Sequence, residues 1–245
     1  MEKCKLDKLL CGSIVVIALF FFQQFSGKIA GVIARSLSYK RFDFYNAYAS
    51  ISVHHIIQML IALVIIVVLK KLLKVDFGFN LGDSKKGLKY LRIYIAIFAI
   101  ITIICHILMY IYNQLPQYDF PLNINNIAGT LGFQLFLSGT SEEIVYRALP
   151  ITVLVYVFGK SVNTKWNITL ETIIAAILFS MAHMKWSLLP FTINANYFQL
   201  FYAFVLGTIQ GVVYQESRSI LYPIIMHSVS NVLMVGTGYL FLILL

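Results

Sequence analysis

Continuous apolar runs dominate this sequence and constrain its fold more than any other feature. A helix needs about 20 mainly apolar residues to cross a bilayer, whereas barrel strands would alternate polar and apolar residues. Of the 245 residues, 60% are hydrophobic and only 12% are charged. The sequence therefore predicts an all-α, polytopic transmembrane helical bundle of about seven or eight helices, a multi-pass protein of the cell membrane.

Polar motifs occur in the C-terminal apolar runs and not in the N-terminal ones. We expect one transmembrane domain over residues 1–245, in which residues 1–115 form helices without a motif and residues 125–245 form a core of roughly four helices that carries the functional site. The predicted spans are 9–25, 50–69, 91–112, 127–158, 168–183, 197–214 and 220–244.

Lysines and arginines between the spans indicate the orientation of the chain. Cytoplasmic loops are enriched in these residues, and the loop around Lys70 to Lys89 is the richest in lysine. Placing that loop in the cytoplasm puts the mixed segment 28–44 on the outer side, as an exception to the rule, because it carries four positive charges: Lys28, Arg35, Lys40 and Arg41. We interpret this segment as interfacial. The net charge of +9 comes from such basic segments beside the lipid bilayer, and no nucleic acid partner is expected.

Three charged side chains lie inside the fourth predicted span. Each charge at the bilayer centre costs at least about 2.5–3.5 kcal/mol, so Glu142, Glu143 and Arg147 require a physical reason. Glu143 and Arg147 are spaced i, i+4 and are predicted to form an ion pair. Glu142 points about 100° away on a helix and needs another partner.

Candidate partners of Glu142 lie in three later spans. His183 ends the fifth, while His227 and Asn231 lie one turn apart in the seventh. Between them, Gly207 and Gly211 form a small-residue face that lets helices approach closely. Ionisable groups at membrane depth usually face the bundle interior, so we expect Glu142, His183, His227 and Asn231 to line one cavity.

Two chemistries fit these residue types. A carboxylate can deprotonate water that a histidine orients, while a second histidine and an amide donate to the developing oxyanion. Alternatively, Glu142, His183 and His227 bind Zn²⁺ and leave a position for water. Their spacing differs from the compact His-Glu-x-x-His arrangement, so the sequence leaves both chemistries open.

Three motifs in this order resemble the CPBP family of CAAX-processing endopeptidases and bacteriocin-processing enzymes, also called Abi or Rce1-like intramembrane proteases. They are Glu142-Glu143-x-x-x-Arg147, Phe179-x-x-x-His183 and His227-x-x-x-Asn231, within residues 127–231. The resemblance implies that Glu142 is the general base and His183 its partner. It also implies that His227 and Asn231 bind the oxyanion, and that Glu143 and Arg147 support the site.

The resemblance leaves the metal open, because the family is often labelled metalloprotease while a metal-independent, glutamate-dependent mechanism is also proposed for it. The implied partner is a peptide or protein substrate in the membrane: a bacteriocin, a peptide pheromone or a CAAX-like tail. The alternatives are a non-catalytic bacteriocin immunity or membrane scaffold protein, and a small transporter, which would also use buried Glu and His.

Other polar residues have simpler interpretations. His54, His55 and His106 are interpreted as interface or satisfied interior histidines, not as ligands. Glu216 and Arg218 are expected to form a local solvated pair in the turn before the last span. Trp166 is expected to anchor a span at the membrane interface.

Overall fold

A computed structural model of the protein describes residues 2–164, 168–188 and 191–245. Within these ranges seven helices and one antiparallel hairpin form, and the helices confirm the predicted all-α transmembrane bundle. Trp166 and its predicted anchoring lie outside these ranges. The helices are α1 (Glu2–Ser36), α2 (Ala49–Leu73), α3 (Ser84–Ile111), α4 (residues 124–158), α5 (Leu170–Ala182), α6 (Tyr197–Ser217) and α7 (Leu221–Leu244), and the hairpin strands are β1 (Lys185–Leu188) and β2 (Phe191–Asn194).

Most of the helices are long enough to cross a bilayer. In the described part of the chain, five helices have the length and apolar composition of a membrane span, namely α1, α2, α3, α6 and α7. The protein is therefore an integral membrane protein. Helix α5 has only 13 residues, or about 20 Å at 1.5 Å per residue, so the predicted full span over 168–183 is wrong in length. The β hairpin that follows it was not predicted.

The ends of the first and third helices differ from the predicted spans. Helix α1 continues without a break to Ser36, so it extends beyond the predicted first span over 9–25 and includes the first part of segment 28–44. Apolar residues recur at helical spacing between the cations of this segment. In lipid, the backbone satisfies its hydrogen bonds by continuing the helix. Helix α3 begins at Ser84, before the predicted start, because the Asp83 side chain caps it by accepting from the backbone N–H of Lys86.

Helix α4 carries the acidic motif and changes its winding twice. Its α-helical segments Ile124–Phe133, Gly139–Glu143 and Leu149–Phe158 alternate with π-helical segments Gln134–Ser138 and Ile144–Ala148. No gap separates the segments, which confirms one long helix over the predicted fourth span. π-Helical turns are rare and often occur at functional sites, and here they flank the two adjacent glutamates.

The two glycines predicted to form a small-residue face do bring helices together. A Cβ atom on Gly207 would lie 3.1 Å from Nη2 of Arg147, and one on Gly211 would lie 2.8 Å from Cγ2 of Thr172. Helix α6 therefore packs closely against α4 and α5. Elsewhere, α1 packs against α2 and α3 packs against α7.

The loop between α2 and α3 packs against the turn that joins α6 to α7. The backbone N–H of Asp83 donates to the Ser217 carbonyl at 2.7 Å. Lys86 Nζ lies 2.9 Å from Glu216 Oε2, so the predicted local pair of Glu216 with Arg218 is wrong. Helix α3 and the end of α6 are thus joined by a contact between residues 130 positions apart.

Candidate active site

The Glu142 carboxylate lies between two histidine rings that come from different helices. Its Oε2 atom is 3.7 Å from Nε2 of His227 in α7, and its Oε1 atom is 3.9 Å from Nε2 of His55 in α2. The Glu142 side chain is 18% exposed, so it is largely enclosed but not sealed. Both distances are longer than a direct hydrogen bond, so the two rings border the carboxylate and leave room for a bridging group.

Glu143 is fully buried together with the arginine that follows it by one turn. Its Oε1 atom lies 3.3 Å from Nη1 of Arg147, and both side chains are 0% exposed, which confirms the predicted ion pair. The guanidinium also donates from Nη2 to Oε1 of Gln210 at 2.8 Å and lies 3.9 Å from the Phe179 ring centroid. A buried ion pair is tolerated only with such additional contacts.

His227 connects the two glutamates. Its Nδ1 atom lies 2.7 Å from Oε1 of Glu143, so Nδ1 carries the hydrogen of that bond and Nε2 is the nitrogen that faces Glu142. The close approach of α4 to α7 depends on Gly139, since a Cβ atom there would lie 2.8 Å from the backbone nitrogen of Ser228. A glycine in α4 therefore brings His227 within reach of both carboxylates.

Asn231 reaches Glu142 through a hydroxyl group. The Asn231 amide donates from Nδ2 to Oγ of Ser138 at 3.0 Å, and the Ser138 hydroxyl donates to Oε1 of Glu142 at 3.4 Å. Asn231 and His227 lie on the same face of α7, as their i, i+4 spacing predicts. The structure thus brings Glu142, His227 and Asn231 together.

His183 is near the site but less directly connected to Glu142. It follows α5 directly, its Nδ1 atom lies 2.9 Å from the Phe179 carbonyl oxygen, and its ring contacts the Phe179 ring edge-on at 4.8 Å. Within the described ranges it forms no hydrogen bond or ion pair with Glu142, although it lies within electrostatic reach of that carboxylate. Of the four residues predicted to line one cavity, Glu142, His227 and Asn231 are therefore brought together, whereas His183 makes no direct contact with Glu142.

His55 belongs to the site, and the sequence did not indicate this. Its Nδ1 atom lies 2.6 Å from Oγ of Ser141, whose hydroxyl donates to the Ser138 carbonyl at 3.1 Å. His55 is thus a satisfied interior histidine, as expected, but its other nitrogen also faces Glu142. The sequence feature that could have indicated His55 is a histidine inside an apolar span. His106 has the same feature, but its ring bonds to the Thr102 carbonyl of its own helix, so the feature does not identify a site residue.

The residues as placed do not form a metal site. In the described part of the chain, no group of three or more His, Cys, Asp or Glu side chains is arranged to hold a metal ion. The predicted Zn²⁺ ligands Glu142, His183 and His227 do not converge on one point, because His183 makes no contact with Glu142. No step of the chemistry below is therefore assigned to a metal.

A buried carboxylate flanked by two imidazoles and linked to an amide is suited to acid–base chemistry on a polar bond. The fold and the site together define a helical membrane protein with a glutamate–histidine centre inside the bundle. Residues 124–233 match the family model described as type II CAAX prenyl endopeptidase Rce1-like. The match covers less than half of the chain and is a likeness of this segment to that family, the one that its motifs resemble.

No curated protein and no solved structure matched the chain. The matched segment includes Glu142, His183 and His227 but not α1, α2 or His55. The family assignment therefore concerns the C-terminal part of the site, and the contribution of the N-terminal helices comes from the structure alone.

Proposed function

We propose that the protein is an endopeptidase of the cell membrane that hydrolyses a peptide bond with water activated by Glu142. Its substrate is the CAAX-like tail of a membrane-associated protein or a small peptide precursor such as a bacteriocin or peptide pheromone. The observation that supports this most strongly is the position of the Glu142 carboxylate, 3.7 Å and 3.9 Å from two histidine nitrogens. The family of residues 124–233 is consistent with it.

The reacting water is proposed to lie beside Glu142 and His55. Nδ1 of His55 is engaged by Ser141, which leaves Nε2 free to accept one hydrogen of the water while Glu142 accepts the other. Glu142 takes the proton as the water oxygen bonds to the carbonyl carbon. The same proton then passes to the leaving nitrogen as the C–N bond breaks.

The oxyanion that forms on the carbonyl oxygen needs hydrogen-bond donors. His227 and Asn231 are the proposed donors, because both project from one face of α7 toward Glu142. His227 donates from Nε2 when both of its ring nitrogens carry hydrogen, with the Nδ1 hydrogen on Glu143, and Asn231 donates the amide hydrogen that Ser138 does not accept. Glu143 and Arg147 are proposed as positioning residues: the Glu143 carboxylate fixes the His227 ring, and Arg147 holds Glu143 in place. His183 is proposed to approach the substrate from the end of α5.

The decisive test replaces Glu142 with Gln and measures cleavage. The probe is a farnesylated peptide that ends in a CAAX sequence, incubated with purified protein in lipid nanodiscs and followed by mass spectrometry. We expect E142Q to lower the cleavage rate by about 10²- to 10⁴-fold, the usual contribution of a general base. E216Q is the matched control, because it makes the same change at a glutamate that pairs with Lys86, away from the site.

Two outcomes would contradict the proposal. Unchanged cleavage by a correctly folded E142Q variant would exclude Glu142 as the base. Binding of peptides by the wild-type protein without any cleavage would favour the immunity or scaffold function instead.

The metal is tested separately by chelation followed by elemental analysis of the same sample. Full activity in protein shown to be free of zinc would support the glutamate-dependent mechanism proposed above. Loss of activity that added Zn²⁺ restores would instead show that a zinc site forms when substrate or metal is bound.

A further inference from the structure

A polar cavity lies beside the site, and most of its wall comes from helices that precede the matched segment 124–233. It has a volume of about 320 Å³, at the lower end of the range for ligand pockets. Helices α1 and α2 form most of its wall, and Tyr146 and Ala182 complete it. Its charged and titratable lining residues are Lys28, Arg35 and His54.

The wall of this cavity is continuous with the residues around Glu142. The His54 ring lies 5.5 Å, centroid to centroid, from the ring of His55, which faces Glu142. On the other side, Ala182 directly precedes His183. A group bound in the cavity would therefore lie next to a substrate placed at Glu142.

The cations of the cavity have no carboxylate partner. Among the described residues, neither Lys28 nor Arg35 forms an ion pair with an acid. Lys28 lies over the Trp186 ring at 5.5 Å, a cation–π contact that brings no anion to its ammonium group. The acid that follows in the chain, Asp43, accepts instead from the backbone N–H groups of residues 47–49.

These charges also lack an explanation from membrane topology. The lysines of residues 70–89 mark the opposite end of α2 as cytoplasmic, and cations are depleted from the other side. Arg35 and Lys28 lie near the start of α2, beside His54. Both side chains thus present a positive charge at the wall of a polar cavity with no acid beside it, which is the arrangement that suits an anionic ligand.

A glycine leaves room for the anion between two of the lining side chains. A Cβ atom on Gly31 would lie 3.3 Å from Nη1 of Arg35 and 3.6 Å from Nδ1 of His54. Any larger side chain at this position would fill the space between the guanidinium and the imidazole. The absence of a side chain there keeps both groups accessible from the cavity.

Gln58 supplies a hydrogen-bond acceptor on the same wall. Its Nε2 atom faces the Gln23 carbonyl oxygen at 3.4 Å and Oη of Tyr146 at 3.5 Å, which fixes the orientation of the amide. Its Oε1 atom accepts no hydrogen bond from the residues described. A peptide terminus offers both a carboxylate for the cations and an N–H for this oxygen, whereas a phosphate group offers no N–H.

We propose that this cavity binds the C-terminal carboxylate of the peptide substrate, with Arg35 and Lys28 as the cationic partners and Gln58 as the acceptor for a backbone N–H. The proposal rests on the endopeptidase function proposed above. Because an extended residue spans at most about 3.6 Å, a terminus held here places a bond a few residues upstream at Glu142. The protein would then select substrates by a free C-terminus close to the cleaved bond.

The test compares two farnesylated CAAX peptides that differ only at the C-terminus, one a free acid and the other an amide. We expect wild-type protein to cleave the acid with a kcat/KM about 10- to 100-fold higher, as expected for a hydrogen-bonded charged group. R35Q should lower kcat/KM for the acid to the value for the amide and leave the amide unchanged. K28Q should act in the same direction.

The matched control is R41Q, which removes an exposed arginine that follows α1 but does not line the cavity. It should leave the preference for the acid intact, and size-exclusion chromatography with thermal unfolding should show that every variant folds. A third peptide, an amide with Asp as its last residue, separates recognition of the terminus from recognition of an acidic side chain. Restored cleavage of that peptide would overturn the assignment to the terminus.

The remaining outcomes are distinguishable. Equal cleavage of acid and amide by the wild-type protein would overturn the cavity proposal and leave the endopeptidase function intact. An equal loss for both peptides in R35Q that depends on anionic lipid in the nanodisc would show a lipid headgroup site instead. Cleavage of neither peptide would remove the proposed function on which the cavity assignment rests.

Discussion

The segment 124–233 and the N-terminal helices α1 and α2 differ in the burial and pairing of their charged side chains. In the first, Glu143 and Arg147 are completely buried and each touches an oppositely charged partner. In the second, Lys28 and Arg35 are exposed and pair with no acid among the described residues. This difference agrees with the two proposals, a rigidly held reaction centre in the first region and an accessible ligand-binding wall in the second.

The two regions meet at a single carboxylate. Glu142 belongs to the matched segment, yet one of its two histidine neighbours, His55, comes from α2. The N-terminal helices are thus more than a membrane anchor for the segment that carries the family motifs. Four substitutions test how far the contrast between the two regions holds.

Removal of the buried arginine should have the largest effect. R147M removes the guanidinium from the buried Glu143 carboxylate and leaves it only the hydrogen bond from His227, which should cost about 3–5 kcal/mol in the free energy of unfolding. The double variant E143Q/R147M removes both charges and should recover much of that stability, as measured by denaturant unfolding in detergent. Equal stability of R147M and wild type would show that the buried ion pair does not contribute to the free energy of unfolding.

Substitution of Gly139 tests how tightly the reaction centre is packed. In G139A the new Cβ atom must displace the backbone of Ser228, because the two atoms would otherwise lie 2.8 Å apart. We expect a loss of about 1–3 kcal/mol in stability, together with slower cleavage as His227 moves. G132A is the matched control, since a Cβ there meets nothing within 4 Å.

The contribution of α2 to the reaction centre is tested at His55. H55A removes one of the two histidines beside Glu142, and we expect kcat to fall by about 10- to 100-fold while the protein remains folded. H106A is the control, because that histidine is also buried in an N-terminal helix but bonds within its own helix. If H55A and H106A had the same activity, the site would belong to the matched segment alone.

The smallest effect is expected in the loop between α1 and α2. The Asp43 carboxylate accepts from the backbone N–H groups of Ala47, Tyr48 and Ala49 and so holds the start of α2. D43A should cost about 1–2 kcal/mol in thermal stability, the usual value for loss of a helix cap. Cleavage measured well below the melting temperature should change little, in contrast to G139A.

The sequence predicted well those features that depend on the local chain. Runs of apolar residues identified the long helices, although α1 extends to Ser36 and α5 is shorter than a span. Helical periodicity predicted the Glu143–Arg147 pair and the shared face of His227 and Asn231, because residues four apart meet on any helix. These predictions needed no knowledge of how the helices pack.

The partners of the remaining groups were decided only by packing. His54, His55 and His106 look alike in the sequence, yet only His55 faces Glu142, because the approach of α2 to α4 selects it. His183 was expected at Glu142 but bonds to the Phe179 carbonyl, because α5 ends just before it. Glu216 pairs with Lys86 instead of Arg218, because the start of α3 packs against the end of α6.

The sequence alone determined that this chain forms membrane-spanning helices and that one of them carries charges requiring partners, since both follow from the cost of placing polar groups in hydrocarbon. Only the tertiary structure decided which side chains meet those charges and where a polar cavity opens. Contacts between helices depend on their relative rotation and height, which distant residues such as Gly139 and Gly207 set. Residues 84 positions apart, Glu143 and His227, therefore meet in a way that no local pattern encodes.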